Sequence, residues 1–534
     1  MKKFKSAFFS VFALTFLFIS SFAQDVDLHG WHHKDPSEGM VGVGTEQAYQ
    51  LLKDRKPKKV IVAILDSGVD TDHEDLKDNI WVNEDEIPGN GIDDDNNGYV
   101  DDINGWNFLG NASGTNIDAA NLEVTRLYRK YAPQFAEVES KKDVAKEDRA
   151  NYELFKEVEA KILEELNSSA QEFAQIDGFL KVYNAADSVA KLELGENYSS
   201  EDVMSWAPES EDGKLYQSIL AGLTQDQSFS KEALVKYHEY LQEKLEYHYN
   251  PRFVDRAVLG DDYENTAEKY YGNPDVAAPH NDHGTHVAGI VGAVRNNDIG
   301  MNGICANVEL MVVRTVPNGD EFDKDVANAI RYAVDNGAKI INMSFGKAYS
   351  PQKEAVYAAI KHAEANDVLL VHGAGNDADN IDKVENYPNP FYVDSKKPCA
   401  TWLSVGANAH SGDENLVGSF SNYGRKNLDI FAPGVQIYSA KPDDTYEFAD
   451  GTSMAAPVVS GVAALIKSYF PELTALQLRD LLIESSNKYP KLSVKAPTSD
   501  YGNSKTTKFQ KLSNSAGVVS AVNAAKLALT KYAQ

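Results

Sequence analysis

Val60-Ile61-Val62-Ala63-Ile64-Leu65-Asp66 is an unbroken aliphatic, largely β-branched run that ends in a carboxylate. A strand with one wet face alternates polar and apolar residues. A run without alternation is what a strand covered on both faces looks like, as in a parallel sheet sandwiched between helices. In such sheets functional groups sit just beyond the carboxyl ends of the strands. Asp66 stands there, and Ser67-Gly68 turns the chain after it.

Outward from this run the same alternation repeats. An apolar stretch from Val308 to Val313 precedes a helical pattern from Asp323 to Asn336, which leads into Ile340-Ile341-Asn342-Met343. A second helical pattern from Gln352 to Asn366 precedes Val368-Leu369-Leu370-Val371, and Trp402 to Ala407 forms a further apolar strand. Strand–helix alternation of this kind predicts an α/β fold with a doubly wound, largely parallel sheet and helices on both faces.

Gly451-Thr452-Ser453-Met454-Ala455-Ala456-Pro457 is a small-residue turn that runs into a helical pattern (Val458, Val459, Val462, Leu465, Ile466). It places one hydroxyl at a helix N-terminus, where free N–H groups and the positive dipole end can stabilise developing negative charge. A serine hydroxyl is a poor nucleophile until a base takes its proton, and the base needs a carboxylate to fix its tautomer. His283 opens another helical pattern, and Asp66 ends the first strand, so the chain order is acid, base, nucleophile.

Three stretches then resemble one family. Ile64-Leu65-Asp66-Ser67-Gly68-Val69-Asp70, His283-Gly284-Thr285-His286-Val287-Ala288-Gly289 and Gly451 to Pro457 are similar to the Asp, His and Ser boxes of the subtilisin-like serine proteases, the subtilases. The resemblance covers about residues 31–107 and 270–529. It implies a subtilisin-like fold and a serine-type endopeptidase acting on protein or peptide substrates. Ser453 would be the nucleophile, His283 the base and then the acid, and Asp66 its orienter. Asn376, in Gly373-Ala374-Gly375-Asn376, matches the family's oxyanion asparagine. Ser344-Phe345-Gly346 matches the segment that pairs with an extended substrate as an added strand, and Ala374 and Gly375 would wall the adjoining side-chain pocket. His286 is read as a helix residue rather than a ligand.

Composition bounds the rest. The chain has 534 residues, 43% of them hydrophobic, and a formal net charge of −28. That charge argues against nucleic acid or an anionic membrane surface as partner. Residues 1–23 carry a basic start, an apolar run from Ala7 to Ile19 and a small-residue end, which predicts a signal peptide cleaved near Ala23-Gln24. The rival is an uncleaved anchor, but the run is short of the roughly 20 residues a span needs. No membrane span is expected after signal removal, and the destination is secreted or periplasmic. Cys305 and Cys399 flank apolar runs and read as buried free thiols.

Asp93, Asp95, Asn97 and Asp101 fall at loop positions one, three, five and nine, with Gly98 at six for the sharp turn. With the Tyr99 carbonyl they predict a structural Ca2+ loop. Position twelve is Asn104 and no helix leads in, so it is not an EF-hand.

From 116 to 255 glycine thins out and Glu, Lys, Ala and Leu dominate. Tyr152, Phe155, Val158, Ile162 and Leu166 recur at helical spacing, as do Phe173, Ile176, Leu180 and Tyr183, and then Leu234, Tyr237, Leu241 and Leu245. This predicts a charged helical insertion of three or more helices, interrupting a peptidase domain of residues 24–115 and 256–534. Family members commonly carry a pro-domain, for which little chain precedes Asp66. The insertion is therefore expected to shape or regulate the cleft. Two alternatives to a general endopeptidase stay open: a narrow processing protease gated by the insertion, and a non-catalytic binding protein on the same scaffold.

Overall fold

The computed structural model describes residues 27–225, 231–392, 395, 397–499 and 504–532; the signal segment and its cleavage point lie outside them. The chain divides into two compact units, one running through Asp118 and resuming at Val258, the other Ala119–Ala257.

The first unit is α/β. Its strands are β1 (Val60–Asp66), β2 (Gly105–Asn107), β3 (Val308–Arg314), β4 (Ile340–Met343), β5 (Leu369–Gly373), β6 (Trp402–Asn408) and β7 (Ile430–Pro433), then the hairpin β8 (Ile437–Lys441) and β9 (Thr445–Ala449). β10 (Asn487–Lys488), β11 (Ser493–Lys495), β12 (Thr506–Lys508) and β13 (Gly517–Val518) follow. Nine of them form one sheet in the order β10-β13-β7-β6-β5-β4-β1-β3-β2, parallel except for the β10–β13 edge. From β1 the chain builds β2 and β3 on one side and β4 onward on the other. The direction therefore reverses at β1, the place where α/β sheets open a crevice at their carboxyl ends.

The parity of β1 explains its lack of alternation. Val60, Val62 and Ile64 enter a core shared with the helices Asp282–Gly292 and Thr452–Tyr469. Ala63 and Leu65 enter a second core with the helices Asp323–Asp335 and Lys353–Ala365. Both faces are dry, so both parities are apolar. Cys305 and Cys399 are buried free thiols, one in each core.

The second unit is helical: Glu123–Phe135, Arg149–Leu194, Ser200–Ser205, Glu211–Gln225 and Lys231–Glu243. The first two sequence stripes fall on one continuous helix of 46 residues. Its sequence has no proline to break it and one glycine, Gly178, and it ends at Gly195 with φ +105°. Phe135 packs with Tyr152 and Phe155 near its start, and Ala186 and Ala190 pack with Val203, Trp206 and Leu220 near its end.

Candidate active site

The carboxyl end of β1 delivers Asp66, 1% exposed. Its Oδ1 accepts from the Ser67 N–H at 2.8 Å and lies 2.7 Å from His283 Nδ1. An ionised carboxylate can only accept, so Nδ1 carries a proton and Nε2 is the free lone pair. His283 sits in the first turn of Asp282–Gly292, its side chain 41% exposed. Partial withdrawal from water pulls its pKa down, but the charge of Asp66 and the hydrogen bond to it outweigh this, and the net shift is upward. Lys441, on β8, works against the protonated form.

Ser453 is the second residue of the Thr452–Tyr469 helix. Pro457 lies four residues on and has no N–H, so the Ser453 carbonyl lacks its intrahelical donor. The Ser344 hydroxyl supplies one at 2.8 Å, and Ser453 Oγ donates back to the Ser344 carbonyl at 3.0 Å. No hydrogen bond joins Ser453 Oγ to His283 among the described residues. Such bonds are often loose before substrate arrives.

Asn376 follows β5. Its Oδ1 accepts from the Thr452 N–H at 2.9 Å and from Thr452 Oγ1 at 3.0 Å. A backbone N–H needs an acceptor, which fixes the amide's orientation and leaves Nδ2 as its free donor. Thr452 Oγ1 in turn accepts from the Gly375 N–H at 3.0 Å. Thr452 is a positioning group that sequence reasoning did not single out; its place one residue before Ser453 was the available signal.

Ser344-Phe345-Gly346 leave β4 beside these groups. The Phe345 carbonyl accepts from His372 Nε2 at 2.8 Å. Burial pushes His372 down to about 4, so it is a neutral donor there.

A cleft of about 550 Å³ is lined by Asp66, His283, Ser453, Asn376, Ser344, Phe345, Gly346 and Gly375 together. Of the catalytic and substrate-binding candidates, Ala374 is the exception: it lines a neighbouring cavity of about 450 Å³. Asn386 belongs to both linings and donates to the Ala374 carbonyl at 3.0 Å. Asp282, Asp320, Glu321 and Asp377 also line the cleft, and among the described residues no lysine or arginine does. Burial raises the Glu321 carboxyl despite nearby Lys347. His286 is turned away from the chemistry; its Nε2 lies 3.1 Å from the Ile437 and Glu447 carbonyls, and burial pushes it down to about 3.

In the acidic loop Asp93 and Asp95 share the Asn97 N–H, which lies 3.0 Å from one carboxylate and 2.9 Å from the other. The Asp93 carboxylate accepts from the Asn97 and Gly98 N–H groups, and that of Asp101 from Asn90 and Gly91. Asn97 Oδ1 accepts from the Tyr99 N–H, while its Nδ2 donates to Asp95 and Asp102. Tyr99 sends its ring against Trp106, Phe108 and Tyr332. Asp95 also gathers with Glu86 and Asp102, with donor oxygens within 4.8 Å of one another. Sequence spacing found Asp95; Glu86 and Asp102 lie outside the periodic pattern.

The Subtilase family profile matches residues 57–517. Subtilisin DY of Bacillus licheniformis is 35% identical over 211 residues, which is 38% of this chain and 69% of that protein. Subtilisin Savinase of Lederbergia lenta is 37% identical over 205 residues, again 38% of this chain and 69% of that one. An alkaline protease of Alkalihalobacillus alcalophilus is 37% identical over 205 residues, and there the match spans about half, 49%, of the relative.

Proposed function

The chain belongs to the subtilase family and is a serine-type endopeptidase; from that premise we propose that it hydrolyses peptide bonds through Ser453, His283 and Asp66. The observation that carries this is the 2.7 Å Asp66–His283 contact in one cleft with Ser453. A substrate docks as an extended strand beside Ser344-Phe345-Gly346. Ser453 Oγ gives its proton to His283 Nε2 and bonds to the scissile carbonyl carbon. The carbonyl oxygen becomes an oxyanion, held by Asn376 Nδ2 and the Ser453 N–H. His283 returns the proton to the leaving amine as the C–N bond breaks, giving an acyl-enzyme. Water, activated by the same imidazole, releases the acid and restores Ser453. Asp66 keeps the proton on Nδ1 and stabilises the imidazolium throughout.

The acidic loop fits a calcium ion by the chemistry of its donors. Glu86, Asp95 and Asp102 offer hard carboxylate oxygens, the ligand type Ca2+ takes. Calcium there would offset the mutual repulsion of the three groups and fix the loop, without entering the chemistry. We also place the protein outside the cytoplasm, on the apolar run from Ala7 to Ile19 and the small residues after it. No described helix is long and apolar enough to cross a membrane.

A fluorophosphonate probe separates an enzyme from a bare scaffold. Labelling of the wild type and none of Ser453→Ala is expected. A wild-type protein that takes no label and cleaves no peptide overturns the assignment.

A further inference from the structure

A fully buried guanidinium ties the loop after Asp66 to the loop before His283. Arg314 ends β3 in register with Asp66 of β1 and is 1% exposed. Its Nε donates to the Ser67 carbonyl at 3.0 Å and its Nη1 to Asn107 Oδ1 at 3.3 Å. Its Nη2 donates to the Ile117 carbonyl at 2.9 Å and the Pro279 carbonyl at 3.4 Å, with the Asp118 carboxylate 3.6 Å away. One side chain therefore holds four chain segments.

Ser67 is where this grip reaches the chemistry. Its carbonyl takes Arg314, its N–H donates to Asp66 Oδ1, and its Oγ accepts from the Gly284 N–H at 3.2 Å. Gly284 is the residue after His283, and Pro279 lies four before it. The fit leaves no slack: a Cβ on Gly284 would lie 2.0 Å from the Gly68 carbonyl oxygen, and one on Gly68, at φ +107°, 3.3 Å from Arg314 Cδ. The cleft lining includes Ser67 but not Arg314.

We propose that Arg314 is a positioning residue for the Asp66–His283 pair. By fixing the Ser67 and Pro279 carbonyls it sets the separation of Asp66 Oδ1 and His283 Nδ1, and through it the basicity of His283. The inference rests on His283 acting as the base. Only arginine suits the task, since its planar fork reaches several acceptors in fixed directions, whereas lysine offers one compact charge. Burial draws its pKa down to about 10, against the opposing pull of Asp118 and Asp275, and the cation persists at neutral pH.

The test is steady-state hydrolysis of a fluorogenic peptide across pH by wild type, Arg314→Lys and Arg314→Met, with rates expressed per fluorophosphonate-reactive site. Misplacing a catalytic group by about an ångström costs on the order of a hundredfold. A fall in kcat of roughly tenfold to a hundredfold is therefore expected for Arg314→Met, with KM nearly constant and partial recovery in Arg314→Lys. The acid limb of kcat/KM should move to lower pH, because Asp66 holds the His283 pKa up and a looser pair releases it. Ser67→Ala severs the same relay at Gly284 alone and should shift kcat and the limb in the same direction by less. It decides the matter should Arg314→Met fail to fold. Per-site kcat and acid limb unchanged in Ser67→Ala and Arg314→Lys would overturn the proposal, leaving Arg314 a packing residue. A wild type that neither labels nor turns over sinks instead the peptidase assignment beneath it.

Discussion

Ser344 and Ser453 exchange hydrogen bonds in both directions, hydroxyl to carbonyl each way, at 2.8 and 3.0 Å. The exchange joins the segment that would hold substrate to the residue that would attack it. Pro457 makes it necessary, since the Ser453 carbonyl has no helical partner. Ser344→Ala leaves that carbonyl without a donor in a part-buried place, a loss of about 1–3 kcal/mol. A lower unfolding midpoint and a lower turnover per labelled site are expected together. Wild-type values of both would show that the exchange does nothing.

Asn376 and Thr452 should fail as a pair. Removing one oxyanion donor costs about a hundredfold to a thousandfold in kcat, and that is the expectation for Asn376→Ala. Thr452→Val keeps the N–H but loses the hydroxyl that Asn376 and Gly375 share, so its smaller loss should be non-additive with Asn376→Ala. A double variant whose losses simply multiply would separate the two residues.

The pH profile follows from the sign of the His283 shift. The base must be neutral to accept a proton, and its pKa is raised. Activity is therefore expected to be lost as pH falls through a value above that of an ordinary histidine. In Asp66→Asn the raising charge is gone, and kcat should fall by about 10⁴ with the wrong tautomer favoured. An acid limb below the ordinary value in the wild type contradicts the geometry.

Stability should also depend on pH, through histidines that do no chemistry. His286 and His372 are buried and neutral, lowered by burial from 6.5 to about 3 and about 4. A depressed folded-state pKa gives stability that is present above 6.5 and lost as pH falls toward those values. Each group costs about 1.4 kcal/mol per pH unit within that window. Urea unfolding at pH 7 and 5, in a Ser453→Ala background to prevent self-cleavage, should show a smaller pH difference in His286→Gln. An identical difference would remove His286 from the account.

Chelation tests the acidic loop. In the same inactive background, a chelator should lower the midpoint of thermal unfolding and calcium should restore it; an ion at a hundred times its Kd contributes about 2.7 kcal/mol. Asp95→Asn should abolish the response. A midpoint indifferent to chelator and calcium excludes an ion at Glu86, Asp95 and Asp102.

Much of the molecule was legible in the chain. β1 declared itself because burial on both faces forces both parities to be apolar, and Asp66 followed from its position at the strand end. The 46-residue helix reads as two stripes in the sequence, because the polar step Asn167-Ser168-Ser169 between them breaks the apolar spacing without breaking the helix. Thr452 and Arg314 escaped notice for another reason. Their partners, Asn376 and the Ser67 and Pro279 carbonyls, are far away in sequence and meet only once the sheet has formed. Glu86 and Asp102 meet Asp95 across a turn, a closeness that spacing along the chain does not report.

The helix bearing Ser453 is buried along nearly its whole length; of its residues only Ser453 and Lys467 are not buried. Such an element opens only when the whole unit opens, so it belongs to the most protected part of the molecule. For an enzyme that digests protein, its own unfolded copies are substrates. Heat should therefore not yield a population of half-active, frayed molecules. Each copy should stay competent until the unit that holds this helix unfolds, and should then be cleaved by those still intact.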